Sequence, residues 1–361
     1  MEKLIVSLLN ESYPVYISKS FEHFIECLGE QEKNRTLVIL TDNNVEKYHL
    51  QEFYTMLRDE FEKVYVYVIK AEEEAKNLLT IEEIYAFLQG HEINRKDVII
   101  AFGGGVVGDI TGFVASTYMR GISFVQVPTT LLAQVDSSIG GKTGVNFNHV
   151  KNAIGSFYQP RFVYANIMTL KTLPRREFSC GLSEIIIHSI IGNRDLFDFI
   201  RNHVVEIMSK DEDILRFLIK ENCKIKIKIV EKDVRDTGER KILNFGHTFG
   251  HGIEGVYLDN LYHGECVAIG SVCAFLMAEE LNLIKQDDRI ELIELLKKVD
   301  LPYRLKAGAN IELIYNYMLH DKKNTDGNFT FILPRKIGEV FEYKTNNSEL
   351  IKTVLNKIVS E

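Results

Sequence analysis

The chain has 361 residues, 45% of them hydrophobic, with a formal net charge of −8 and a pI near 5.8. That length supplies apolar material for two ordinary cores. The acidic balance argues against a general affinity for nucleic acid or for an anionic membrane, because a surface that tracks phosphates needs a cationic excess. Any anion site must be local. The five cysteines, Cys27, Cys180, Cys223, Cys266 and Cys273, contain no CxxC pair and read as reduced thiols of a cytoplasmic protein. The opening MEKLIVSLLNESYPVYI is broken by Asn10, Glu11, Ser12 and Pro14 before a signal-length apolar run forms. No later stretch approaches the roughly 18 apolar residues of a membrane span.

In chain order, a β-type run from Leu37 to Leu40 ends at Thr41-Asp42-Asn43-Asn44 and gives way to helical periodicity. Val64 to Ile69 is a second strand candidate, completing a βαβ rhythm. A third strand, Val98 to Phe102, runs into Gly103-Gly104-Gly105 and then an apolar helical segment ending near Met119. Beyond about Pro174 long helical periodicities dominate, over Asp213 to Val230, Val267 to Leu283 and Arg289 to Val299, with a late strand signal from Phe329 to Leu333. A domain boundary is expected between residues 160 and 175. With no low-complexity linker, the halves are expected to pack closely around a cleft.

Three constellations carry chemistry. In Gly103-Gly104-Gly105-Val106-Val107-Gly108-Asp109, glycines between strand and helix let backbone N–H groups approach a pyrophosphate at a helix N-terminus. A tight turn without a ligand is the competing reading, since this is not the GxGxxG fingerprint. Next comes Pro128 to Asn146 with Lys151-Asn152. Gly141-Lys142-Thr143 imitates the tail of a phosphate-binding P-loop, but Asp136 stands where that motif needs its first glycine, which excludes a nucleotide triphosphatase. The remaining polar set, Asp136, Lys142, Lys151 and Asn152, suits a small phosphorylated or hydroxylated ligand, or else a solvated loop.

The third constellation is Gly246-His247-Thr248-Phe249-Gly250-His251 with His263-Gly264-Glu265. His247 and His251, four apart, share a helix face, as in a metal site. Thr248 occupies the place of a metalloprotease's general-base glutamate, which removes that reading. A pair at this spacing is by itself more often structural or at the surface than ligating. His263 and Glu184 raise the case for a cation, because Glu184 lies in an apolar run where an unpaired carboxylate is costly to bury.

Taken together, GGGVVGDITGF, RGISFVQVPTTLLAQVDSSIGGKTGVN, KNAIGSFYQP, GLSE, RKILNFGHTFGH, HGE and DKK resemble, in content and order, the 3-dehydroquinate synthases, over roughly Asp42 to Gly338. The resemblance implies an α/β chain with an N-terminal Rossmann-like NAD-binding domain, residues 1–165, followed by a mainly α-helical metal- and substrate-binding domain, residues 166–361. It implies NAD contacts at Asp42, Asn44, Glu73, Lys76, Gly104, Gly105, Val106, Asp109, Thr129, Thr130, Asp136, Lys142, Lys151, Thr172 and Glu177. The metal ligands it implies are Glu184, His247 and His263, holding zinc or cobalt. Catalytic groups would be Asp136, Lys142, Lys226, Arg240, Asn244 and His251. Substrate contacts would come from Lys151, Asn152, Lys322, Lys323 and Arg120, the last reaching in from the neighbouring subunit of a homodimer.

The implied substrate is the seven-carbon phosphosugar acid DAHP, and the implied reaction a transient oxidation by NAD, β-elimination of phosphate, re-reduction and aldol ring closure, in the shikimate route to aromatic amino acids. Two alternatives stay open: a sister sugar phosphate cyclase such as 2-deoxy-scyllo-inosose synthase, and an NAD- and metal-dependent alcohol dehydrogenase. Arg240 with Lys226 and Asn244 would suit a substrate carboxylate, which favours DAHP. The chain departs from the family pattern at Ile187, three residues after Glu184, where a substrate-contacting lysine is expected; His188 is the neighbouring cation.

Overall fold

The computed structural model describes residues 1–9, 11–29, 32–148, 150–257, 260–319 and 328–359. Two compact units divide the chain: Met1–Pro174 with Leu215–Arg235, and Arg175–Ile214 with Asp236–Glu361.

The first unit is built on strands β1 (Glu2–Val6), β2 (Tyr13–Ser18), β3 (Leu37–Asp42), β4 (Val64–Ile69), β5 (Val98–Gly103), β6 (Ser123–Pro128), β7 (Lys142–Phe147), β8 (Val150–Phe157) and β9 (Val163–Asn166). Seven of these form one sheet in the order β1-β2-β9-β6-β5-β3-β4, parallel from β2 onward, with β1 antiparallel at one edge. β3 and β5 are buried along their whole length, so they read as continuous apolar runs rather than alternating ones. Their side chains still alternate by face. Val38, Leu40, Ile99 and Ala101 join one core with Ile81, Ile84, Val107 and Val114 of the helices Leu78–Gly90 and Gly105–Thr117. Leu37, Ile39, Val98, Ile100 and Phe102 join the other with Phe53 and Leu57 of the helix Gln51–Glu60.

Counting β3 as first, the parallel strands β4-β3-β5-β6-β9 run in the doubly wound order 2-1-3-4-5. The chain therefore reverses direction across the sheet at β3 and β5, and in such sheets ligands bind beyond the carboxyl ends of the strands at that point. There Thr41 Oγ1 donates to the Phe102 carbonyl at 2.7 Å and Thr129 N to the Gly103 carbonyl at 3.0 Å, which aligns the ends of β3, β5 and β6. β7 and β8 form a separate antiparallel hairpin against the helix Gly105–Thr117; a Cβ on Gly112 of that helix would overlap Thr143.

The second unit is mainly helical, with the antiparallel hairpin β10 (Phe329–Lys336) and β11 (Glu339–Thr345). Its centre is the meeting of helices Arg175–Gly192, His247–Tyr257 and His263–Glu280. Glycines set their spacing. A Cβ on Gly264 would lie 2.5 Å from the Cys180 carbonyl oxygen, and one on Gly270 would overlap the Gly246 carbonyl oxygen and stand 2.7 Å from Gly250 N. No helix among the described residues is long and apolar enough to cross a membrane.

The same geometry fixes the sign of one substitution. Gly270→Ala removes a helix-interior glycine, which by backbone propensity alone would stabilise by about 0.5–1 kcal/mol. The overlap with Gly246 costs more, because overpacking against backbone is worth roughly 1–3 kcal/mol or more. A net loss of stability, read as a lower urea midpoint, is expected; a raised midpoint would contradict the packing described.

Candidate active site

At the sheet's switch point, Asp42 ends β3 and caps the turn that follows, its Oδ1 accepting from Asn44 N at 2.9 Å and Val45 N at 3.0 Å. Burial pushes its carboxyl up while the two N–H groups pull it back. Gly104 precedes the helix Gly105–Thr117 with no side-chain cap of its own, so Gly105 and Val106 open the helix with backbone N–H groups directed past the end of β5. A Cβ on Gly104 would come within 3.0 Å of Thr130 Cγ2, which holds the loop after β6 against the glycines. Thr129 is buried at the same place.

Beside this loop Lys76, 4% exposed, donates to Asp109 Oδ2 at 2.7 Å. Burial raises the Asp109 carboxyl and the ammonium opposes that rise. Glu73 accepts from Asn146 Nδ2 at 2.9 Å; Asn146 N donates to the Lys76 carbonyl at 2.7 Å, and Asn146 Oδ1 accepts from Asn152 N at 2.8 Å. Asn146, absent from the sequence expectations, thus joins Glu73, Lys76 and Asn152. The left-handed φ of 49° at Asn152 is held by that last bond. Asp109, Lys142 and Asn152 line a cavity of about 340 Å³, while Lys142 and Lys151 are exposed along the β7–β8 hairpin.

Asp136 sits in the turn Ala133–Ser137, and Lys226 Nζ donates to both its carboxylate and its carbonyl oxygen, the latter at 2.6 Å. Lys226 is 4% exposed and comes from the segment Leu215–Arg235, which belongs to this unit. Gln134, fully buried, donates to the carbonyls of Pro128 and Asn166 and fixes that turn. Thr172 Oγ1 is 2.7 Å from His49 Nε2, and burial pushes the His49 imidazole down. Gln134 lies inside one of the sequence motifs but is not singled out by it, and His49 lies in none. Arg120 is exposed, with φ 64°, after Met119 at φ 50°.

In the second unit Gly246, φ 74°, makes the turn that starts the helix at His247. His247 Nδ1 lies 3.0 Å from the Phe245 carbonyl, and its Nε2 lies 3.6 Å from Glu184 Oε1. His263 opens the next helix, with Nε2 3.9 Å from the same Oε1. One donor atom from each of Glu184, His247 and His263 falls within 4.8 Å of the others. Two imidazole nitrogens and a carboxylate oxygen form a donor set that fits zinc or cobalt. The His251 ring stands 5.5 Å from that of His247. Arg240 is 3% exposed in the turn Glu239–Asn244, where Asn244 Nδ2 donates to the Lys241 carbonyl at 3.1 Å. Glu177, grouped with the cofactor residues by the resemblance, belongs to this unit. Lys322 and Lys323 lie outside the described residues.

Residues 66–180 match the model of the 3-dehydroquinate synthase N-terminal family and residues 181–324 that of its C-terminal family. The 3-dehydroquinate synthase of Acetivibrio thermocellus is 47% identical to this chain, covering 98% of it and 99% of the relative. The chain belongs to the 3-dehydroquinate synthase family. Among solved structures, a 2-deoxy-scyllo-inosose synthase with carbaglucose-6-phosphate, NAD+ and Co2+ superposes with a TM-score of 0.90 at 25% identity, covering 99% of this chain and all (100%) of that one. The 2-epi-5-epi-valiolone synthase of Streptomyces hygroscopicus with NAD+ and Zn2+ gives 0.88 at 25%, covering 98% of each chain.

Within the family frame, Ile187 and His188 are both buried in the Glu184 helix, and a His188 nitrogen comes within 4.8 Å of a Glu184 carboxylate oxygen. The imidazole, not the isoleucine, is therefore the polar neighbour of the Glu184 carboxylate. His188→Ala should lower kcat/KM roughly 10-fold or more, about 1.4 kcal/mol, since it removes the buried imidazole that lies beside the Glu184 carboxylate. Ile187→Val should cost only about 0.5–1.5 kcal/mol of stability, with kcat/KM near that of the parent. Steady-state kinetics and denaturation of the two variants side by side check this; equal effects on kcat/KM would refute it.

Proposed function

We propose that this chain converts DAHP to 3-dehydroquinate and phosphate, with NAD and a divalent cation, zinc or cobalt, as cofactors. The reading is carried by the donor set Glu184, His247 and His263 in a chain that aligns end to end with curated 3-dehydroquinate synthases. Such a cation would supply Lewis acidity at a substrate hydroxyl, and NAD reversible hydride acceptance.

The chain's own residues do the rest. Asp42 and Asn44 at the end of β3, the N–H groups of Gly104, Gly105 and Val106, and Thr129, Thr130 and Thr172 take the adenosine and pyrophosphate parts of the dinucleotide, with Glu177 a further contact. The position of the first four at the switch point supports this. Glu73, Lys76 and Asp109, tied together by Asn146, take the ribose and nicotinamide end. Exposed Lys142 and Lys151, with Asn152, bind the phosphate and hold it until it leaves. Lys226 donates to Asp136 Oδ1 and so keeps that carboxylate an acceptor for substrate hydroxyls. Arg240 and Asn244 take the substrate carboxylate, and His251, beside His247, donates to a substrate oxygen. We assign the NAD role to the first unit and the metal and acid-binding roles to the second. Lys322 or Lys323 completes the set of cations. We also assign the enzyme to the cytoplasm, where its five free thiols would persist, and to a homodimer in which exposed Arg120 reaches the neighbouring subunit's site.

Purified protein given DAHP, NAD and metal should release phosphate and form dehydroquinate with no net NADH. Exhaustive chelation should abolish this, and zinc or cobalt should restore it; turnover in protein shown to be metal-free would sink the proposal. A carboxylate-free sugar phosphate turned over as well as DAHP would point to a sister cyclase, and stoichiometric NADH to a dehydrogenase.

Arg240→Ala should reduce kcat/KM for DAHP roughly 10- to 150-fold, since a charge-assisted contact is worth about 1.5–3 kcal/mol. NAD affinity, measured by titration, should stay unchanged. A loss confined to NAD binding would remove Arg240 from the carboxylate site.

A further inference from the structure

The two histidines of the donor set each have a second ring nitrogen to account for. His247 Nδ1 is 3.0 Å from the Phe245 backbone carbonyl, which can only accept, so Nδ1 carries the proton and Nε2 is left as the donor facing Glu184. His263 has no such carbonyl in the same role. Its Nδ1 is 3.0 Å from Oε2 of Glu254, which is 8% exposed and lies outside the Glu184–His247–His263 set, although an oxygen of Glu254 also falls within 4.8 Å of donor atoms of His251 and His263. An ionised carboxylate accepts and never donates, so this bond places the His263 proton on Nδ1 and directs Nε2 toward Glu184.

The framework around the pair is fixed independently. Glu254 lies seven residues after His247, two turns along the same helix, and so returns to the same side. The start of the His263 helix is anchored by Arg176, which donates to both carboxylate oxygens of Glu265, at 2.7 and 2.6 Å, and to the Asn260 carbonyl at 2.7 Å. Arg176 belongs to the helix that carries Glu184. Backbone position is thereby held by that ion pair, and the bond from Glu254 bears on the ring itself.

We propose that Glu254 is the positioning residue of this metal site, acting through His263 Nδ1 to fix the tautomer and direction of a ligand it does not replace. The inference rests on the reading of Glu184, His247 and His263 as metal ligands. A carboxylate behind a ligating imidazole raises ligand basicity and removes the rotational freedom that the ring would lose on binding, and such partners are worth about 10- to 100-fold in metal affinity.

The test is the Co2+ affinity of metal-free protein, by competition with a chromophoric chelator, together with the visible spectrum of the cobalt form and a separate NAD titration. Glu254→Ala should weaken Co2+ binding by about 10- to 100-fold and alter the cobalt bands, with NAD affinity unchanged. Glu254→Gln, whose amide oxygen still accepts from Nδ1–H, should recover most of the loss. Should the alanine variant not fold, Glu254→Leu keeps the volume without the acceptor and is expected to behave alike. Parental affinity and spectrum in Glu254→Ala or Glu254→Leu would overturn the proposal, and so would a Glu254→Gln variant as defective as His263→Ala, which would make Glu254 a direct ligand. If His263→Ala itself binds Co2+ with parental affinity, the metal assignment fails instead, and that outcome is distinct from the other two.

Discussion

The second unit depends on how closely three helices can approach one another. Glu184, His247 and His263 come from three different elements, and their donor atoms meet only because Gly264 lies against the Cys180 backbone and Gly270 against Gly246 and Gly250. A Cβ at either position would overlap neighbouring backbone, so the helices could not keep their present approach. Close approach has a consequence for Glu184, which ends 3% exposed in an apolar helix. A carboxylate in such a place is expensive unless cationic groups face it. The two imidazoles answer part of that requirement and a cation held by the same three residues would answer the rest, so packing and the proposed metal affinity would select the same glycines.

The first unit solves a different problem, that of presenting backbone N–H groups and lysines to an anion without leaving buried charges unmatched. β3 and β5 are long apolar strands that bring Asp42 and the Gly103–Gly105 loop to one level. Lys76 is matched by Asp109, and Lys226 by Asp136. Each of these buried ammonium groups therefore has a carboxylate partner before any ligand arrives. Truncating one member would strand the other, which is why such pairs are more sensitive to removal of a partner than their net contribution suggests.

Much of this was legible in the sequence, and the reasons for the exceptions are physical. The strands at Leu37 and Val98 were visible because buried parallel strands are continuous apolar runs, that at Val64, an edge strand buried only at its ends, because its residues are β-branched or aromatic, and the His247–His251 spacing because four residues return to one helix face. β1, β2 and the β7–β8 hairpin were not picked out: β8 is largely exposed, and its register with β7 depends on Gly144 and Gly155 passing backbone to backbone rather than on any periodic pattern. Asn146 and Glu254 escaped for a related reason. Each acts through a partner that is distant in sequence or beyond a turn, Glu73 and His263 respectively, and no spacing rule links them. Lys226 was picked out as a site residue by motif, yet nothing in the helical run from Glu212 to Lys232 announces that most of it packs with the first unit through Asn222, Lys220 and Lys226.

The charge distribution then separates two kinds of cation. The chain as a whole is acidic at −8, so its field does not draw anions from a distance. Lys76 and Lys226 are buried and paired; an incoming anion can strengthen their environment only by sharing them with Asp109 and Asp136, a modest gain against the existing bond. Lys142 and Lys151 are exposed, so they stay largely hydrated. A phosphate that must be bound, expelled and released in one turnover is better served by the second kind, because a site that fully desolvated its cations around the product would hold it too long. On the proposed reading, the buried pairs would set the shape of the pocket and the exposed lysines of the hairpin would adjust to an anion that leaves.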